Sequence, residues 1–107
     1  MGKKKLVIVG DSAFAEIARE YFDHDSDYQV VAHSVEQPYL KQTELHGLPV
    51  VPFETLEQQF SPADHHVYVA ATYTQLNRLR TRLANTAREK GFDEAFMPNT
   101  IIRGIKN

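Results

Sequence analysis

Four consecutive apolar residues, Leu6-Val7-Ile8-Val9, run into Gly10, and a helical stripe begins four residues beyond that glycine. A branched apolar run without polar alternation reads as a strand buried on both faces, the type found in parallel sheets covered by helices. Phe14, Ile17, Ala18, Tyr21 and Phe22 recur at i, i+3, i+4, i+7 and i+8, which predicts a helix packed on that strand. Asp11 or Ser12 is placed to cap its first amides, and the polar stretch Asp23-His24-Asp25-Ser26-Asp27 ends it.

The same reading continues along the chain. Tyr28–Val35 is a second strand, and the polar, aperiodic sequence from there to Gly47 is a loop. Leu48–Pro52 holds only a short strand, best placed at an edge because its prolines cannot donate ladder hydrogen bonds. Phe53, Leu56 and Phe60 make a short second helix, and Val67–Ala71 a further strand. Leu76, Leu79, Leu83, Ala84 and Ala87 form the longest helical stripe, stopped by Gly91 at the position of a C-terminal cap. Glu94–Met97 is the last strand, closed by Pro98. The alternation of strands and helices requires parallel pairing with right-handed crossovers. The predicted fold is α/β: a Rossmann-like parallel sheet of about five strands with helices on both faces, in one domain over residues 1–107.

Composition narrows the function classes. A chain of 107 residues, 42% hydrophobic and 24% charged, has the size and apolar content for one core. Its net charge of −2 offers no basic field for a nucleic-acid backbone. The run Leu6–Val9 is too short for a signal peptide or a membrane span, so no membrane insertion is expected, and Lys3-Lys4-Lys5 reads as a solvated lead-in. Without cysteine there are no disulfides, thiolate zinc sites or thiol catalysis, which is compatible with the cytoplasm.

In open parallel sheets, ligands bind beyond the carboxyl ends of the strands, where the strand order reverses. Here Gly10–Phe14, His33–Glu36 and Ala71–Tyr73 form that edge. A strand that breaks at glycine and turns into a helix presents free amides and a positive dipole end to a diphosphate. Glu36 stands where a carboxylate accepts hydrogen bonds from a ribose or a base edge. Gly10-Asp11-Ser12-Ala13-Phe14-Ala15 supplies one of the three glycines of a dinucleotide fingerprint. Asp11 opposes phosphate binding: an anion about 6 Å from a unit charge costs roughly 0.7–3 kcal/mol for effective dielectrics of about 80 down to about 20. The helix dipole returns about 0.3–1 kcal/mol. Asp11 either turns away from the ligand or serves only as a cap.

Other groups carry less. His65 and His66 are adjacent on a strand and point to opposite faces, so they do not chelate a metal together. The residues around His24 read as a solvated loop, and Arg78, Arg80, Arg82 and Arg88 as the polar face of the last helix, with Arg78 nearest the cleft. Ser12 has no His–Asp relay, so no catalytic residue is assigned.

These residues resemble the amino-terminal domain of bacterial sugar O- and N-acyltransferases of the PglD and sialic-acid O-acetyltransferase type. The segments that match are Leu6-Val7-Ile8-Val9-Gly10 with Phe14-Ala15-Glu16-Ile17-Ala18, Tyr28–Ala32, His46–Pro52, and Leu76-Asn77-Arg78-Leu79-Arg80 leading to Lys90-Gly91-Phe92. The resemblance implies a Rossmann-like domain that holds the nucleotide of an activated, commonly UDP-linked sugar. It implies that acyl transfer, acetyl coenzyme A binding and trimer formation belong to a following left-handed β-helix, so that no cofactor is bound by this domain. Met97–Ile102 is similar to the entry of that β-helix, with residues 98–107 as its start, and the isolated domain is expected to be a monomer or dimer. Matched position by position, the substrate-binding candidates are Gly10, Asp11, Ser12, Ala13, Phe14, Ser34, Glu36, Ala71, Thr72 and Tyr73, with Asn77 and Arg78 in a family motif. The family's first turn is richer in glycine, and Asp11 replaces a small neutral residue.

Two other readings stand beside this one. A stand-alone dinucleotide-binding module rests on Glu36 as a ribose ligand, and a non-catalytic interaction domain that has lost its ligand rests on Asp11.

Overall fold

Leu6, Val7, Ile8 and Val9 are all buried in the computed structural model, which describes residues 4–70 and 76–97. They lie in β1 (Lys4–Val9), the centre of the sheet. Leu6 and Ile8 pack with Phe14, Ala15, Ala18 and Phe22 of α1 (Ala13–Asp25) on one face. Val7 and Val9 pack on the other face with Leu56 of α2 (Leu56–Gln59) and with Leu83, Ala84 and Ala87 of α3 (Leu76–Glu89). A run without alternation is thus explained by two apolar layers, one on each side of a single strand. The stripe of α1 is shifted slightly from expectation: Ala15 is buried and Ile17 is 40% exposed.

β2 (Tyr28–Val35) and β5 (His65–Val69) flank β1, both parallel to it. β4 (Leu48–Pro52) pairs parallel to β2, and β6 (Asp93–Glu94) parallel to β5. The spatial order is β3-β4-β2-β1-β5-β6. From β1 the chain builds outward through β2 to β4, then returns past β1 to β5 and β6, so the order reverses at β1 and β5. This is the Rossmann-like α/β arrangement, with a six-stranded, mostly parallel sheet.

The sixth strand is β3 (Glu44–Leu45), antiparallel to β4, within the segment expected to be a loop. It is joined to β4 through His46 and Gly47, whose φ angles of 48° and 85° make a two-residue hairpin turn. Consequently Leu48–Pro52 is covered by β3 and is not the edge. Its prolines are tolerated because β3 is only two residues long and Val50 N–H finds Thr43 O at 2.9 Å. Phe53–Thr55 is a 3-10 turn leading into α2 rather than part of one helix. The α3 cap is as expected: Gly91 has φ +101°, its N–H donates to Arg88 O, and Phe92 N–H donates to Ala87 O. No helix among the described residues is long and apolar enough to cross a membrane.

Candidate functional site

The strand-to-helix turn after β1 depends on Gly10. Its φ of +129° disfavours other residues, and a Cβ there would approach Ala70 O to 3.1 Å. Gly10 N–H donates to Ser34 O at 2.7 Å. Its own carbonyl accepts from His33 Nδ1 at 2.9 Å. His33 is fully buried, and that burial lowers its pKa, so the ring is neutral with the proton on Nδ1. This tautomer follows from the carbonyl partner, and it leaves Nε2 as a buried acceptor without a partner among the described residues.

Ser12 is the N-cap of α1, but its side chain makes no capping hydrogen bond. Asp11 does not cap either: it precedes the N-cap, and its carboxylate accepts from Gln42 Nε2 at 3.1 Å. The expected side-chain cap is therefore corrected. The ladder of α1 begins with Glu16 N–H on Ser12 O, and no hydrogen bond among the described residues takes up the amides of Ala13, Phe14 and Ala15.

Beside this turn lies a cleft of about 420 Å³. Gly10, Asp11, Ser12, Ser34 and Glu36 line it, together with Val9, Val35, Ala70, Leu79 and Leu83. Five of the expected site residues are thus brought to one cavity. Ala13 opens α1 next to it, whereas the side chain of Phe14 is buried in the core against Tyr68. Phe14 therefore has only its backbone to offer a ligand. Ala71, Thr72 and Tyr73 lie outside the described residues, and Asn77 and Arg78 stand in the first turn of α3 with only their backbone described. Ser34 is fully buried, and its Oγ has no hydrogen-bond partner among the described residues.

Glu36 is ion-paired. Arg82 Nη1 and Nη2 donate to its two carboxylate oxygens at 2.7 and 3.0 Å. The Arg82 hydrogen bond holds the Glu36 carboxyl below the usual carboxylate range and raises the guanidinium in turn. Of the arginines expected to form a solvated face, Arg80, Arg82 and Arg88 keep side-chain exposures of 37%, 55% and 53% and are ion-paired as well, whereas the Arg78 side chain lies outside the described residues. Arg80 and Arg88 both reach Glu94, at 3.4 and 3.0 Å, and the Glu94 side chain is only 7% exposed. A charge count along one helix does not show which carboxylates the sheet places opposite it. Arg82 and Tyr39, which also line the cleft, were not among the expected site residues. The spacing of Arg82 from Leu79 was the available signal, because i+3 neighbours share a face.

The two strand histidines are not brought together: His65 packs on Phe60 and His66 on Tyr28, rings that belong to opposite faces of the sheet.

The chain matches no family model and no curated protein sequence. Solved structures of similar fold include the acetyltransferase domain of PglB from Neisseria gonorrhoeae FA1090 in complex with acetyl coenzyme A. It is 23% identical with a TM-score of 0.64, over 85% of this chain and 42% of that one. A further structure of the same domain matches at the same identity and TM-score, over 84% and 42%. This chain therefore spans under half the length of these neighbours, and the likeness shows a shared fold.

One expectation is overturned by this comparison. A domain without cofactor was expected, yet the similar chain is an acetyltransferase domain in complex with acetyl coenzyme A. The physical reason is plain: coenzyme A contains a nucleotide diphosphate, and the features read here as a nucleotide edge do not separate one nucleotide diphosphate from another.

Proposed function

We propose that the cleft binds the nucleoside diphosphate of a nucleotide-activated sugar, with UDP as the nucleotide, and that the chain is the substrate-recognition region of a sugar acetyltransferase. The observation that carries this reading is the Ser34 hydroxyl, buried in the wall of the cleft without a partner among the described residues. An unpaired buried hydroxyl costs on the order of 1–3 kcal/mol, and a polar ligand group relieves that cost. The open amides at the start of α1 add a set of donors suited to phosphate oxygens. The fold shared with an acetyltransferase domain supports the acyl-transfer setting, with acetyl coenzyme A as the acyl donor of the whole protein. Ala71, Thr72, Tyr73, Asn77 and Arg78 complete the proposed contact set. Because Glu36 is paired with Arg82, it serves here as a positioning residue, which counts against the dinucleotide alternative that rests on Glu36 as a ribose ligand.

Calorimetry with UDP, UDP-N-acetylglucosamine and NAD tests this reading on wild type and Ser34→Ala. Both uridine nucleotides should bind more tightly than NAD. Ser34→Ala should weaken UDP about fivefold while raising folding stability by about 1 kcal/mol, since it removes the unpaired hydroxyl. Tighter NAD binding, or a Ser34→Ala protein with unchanged UDP affinity, would count against it.

A further inference from the structure

Tyr39 is 65% exposed, one of few large apolar side chains left in solvent, and it stands on the wall of the cleft. Its backbone is firmly held. Tyr39 N–H donates to Glu36 O at 2.9 Å, closing a 3-10 turn over Gln37–Tyr39 that includes Pro38. Gln37 N–H, at the start of that turn, donates to Glu54 Oε1 at 2.9 Å. The side chain is thus presented, largely exposed, from a hydrogen-bonded turn.

Arg82 lines the same cleft and is held in a different way. The two-pronged pairing with Glu36 fixes the guanidinium plane, which a single hydrogen bond would leave free to rotate. Tyr39 and Arg82 are both tied to Glu36, Tyr39 through the Glu36 carbonyl and Arg82 through its carboxylate, so one residue brings both to the same cleft. Between these groups and the turn, the cavity is walled by Val9, Val35, Leu79 and Leu83. A slot bounded by a largely exposed aromatic ring, a flat cation and branched aliphatic side chains fits a planar group with apolar faces and polar edges. A sugar ring or a phosphate does not meet that description.

We propose that Tyr39 and Arg82 form the nucleobase platform of the cleft, with the base stacked on the Tyr39 ring and the Arg82 guanidinium, and with Glu36 holding that guanidinium in place. This rests on the reading of the cleft as a nucleotide site, and it adds residues that the matched motifs do not contain. Stacking tolerates any base because every base has a π-face, so the platform sets affinity for the nucleoside and leaves the choice of base to polar contacts.

The test measures UDP and ribose 5-phosphate binding by calorimetry to wild type, Tyr39→Ala, Tyr39→Phe and Arg82→Lys. Tyr39→Ala should weaken UDP about fivefold or more and leave ribose 5-phosphate unchanged, since only UDP carries a base. Tyr39→Phe should bind UDP like wild type, because the ring and not the hydroxyl is used. Arg82→Lys keeps the charge and loses the plane, and should show the same selective loss. Tyr39 is exposed, so its variants keep the fold, and urea midpoints equal to wild type verify that. Unchanged UDP binding in Tyr39→Ala and Arg82→Lys, or equal losses for both ligands, overturns the platform while the nucleotide reading survives. Wild-type protein that binds neither ligand overturns both.

Discussion

Asp11 is where the sequence departs most from the pattern it otherwise follows, and its surroundings now separate two accounts of it. A capping role would tie Asp11 to the stability of α1, but its carboxylate faces the Gln42 side chain on the surface. Asp11→Ala should therefore change folding stability by less than about 0.5 kcal/mol, as for a surface substitution away from special features. Repulsion of a bound diphosphate is a separate matter, since Asp11 lines the cleft. At a partly exposed site the low end of the Coulomb range applies, about 0.7 kcal/mol, so UDP affinity should rise about threefold. Calorimetry beside a urea melt checks both statements. Weaker UDP binding in the variant would make Asp11 a ligand contact instead. The residues of this turn were legible because a glycine between a strand and a helix has few uses. Tyr39 and Arg82 were not, because exposure of an aromatic and the partner of an arginine are properties of the assembled surface.

Among the elements, the turn between β1 and α1 is tied to β2 by two bonds, Gly10 N–H to Ser34 O and His33 Nδ1 to Gly10 O, beyond the ladder that joins the strands. His33 makes that tie sensitive to acid. Its folded pKa lies below the ordinary imidazole value because burial disfavours the cation and Arg19 adds to this, against weaker opposition from the Gly10 carbonyl, Asp11 and Glu16. Between the folded and unfolded pKa values the unfolded chain holds a proton that the native ring does not. Stability should fall as pH drops through about 6.5 and level off below the folded value. Glu36 and Glu57, held low by Arg82 and Lys90, lose their contributions only under more acidic conditions, so the window above about pH 5 separates His33 from these carboxylates. Urea midpoints at pH 7.5 and 5.5 should differ for wild type and differ less for His33→Gln; an equal pH dependence in both would remove His33 from this role. Elements with a strong period were legible in the sequence: β1 from its unbroken apolar run, α1 and α3 from their stripes. The β3–β4 hairpin was not, because its turn is His46-Gly47 where Asn-Gly or Asp-Gly is the usual signal, and two-residue strands have no period to read.

For the molecule as a whole, the reversal of strand order beside β1 turns these local features into one site. The first turn, the end of β2 and α3 are far apart in sequence, yet they border a single cleft because β2 and β5 both lie against β1. That gathering was foreseeable from the order of strands and helices. The occupants of its walls were only half foreseeable, since α3 contributes side chains whose direction depends on how it packs on the sheet. The central claim is that a uridine nucleotide binds in this cleft. The most direct measurement is an NMR titration of the labelled chain with UDP, following backbone amides. The expected result is saturable shifts at Gly10, Asp11, Ser12, Ser34, Val35, Glu36 and Tyr39, with Gln29, Val30 and Leu48 beside α1 unmoved. Shifts centred on that second group, or none at the cleft at saturating UDP, would contradict the account.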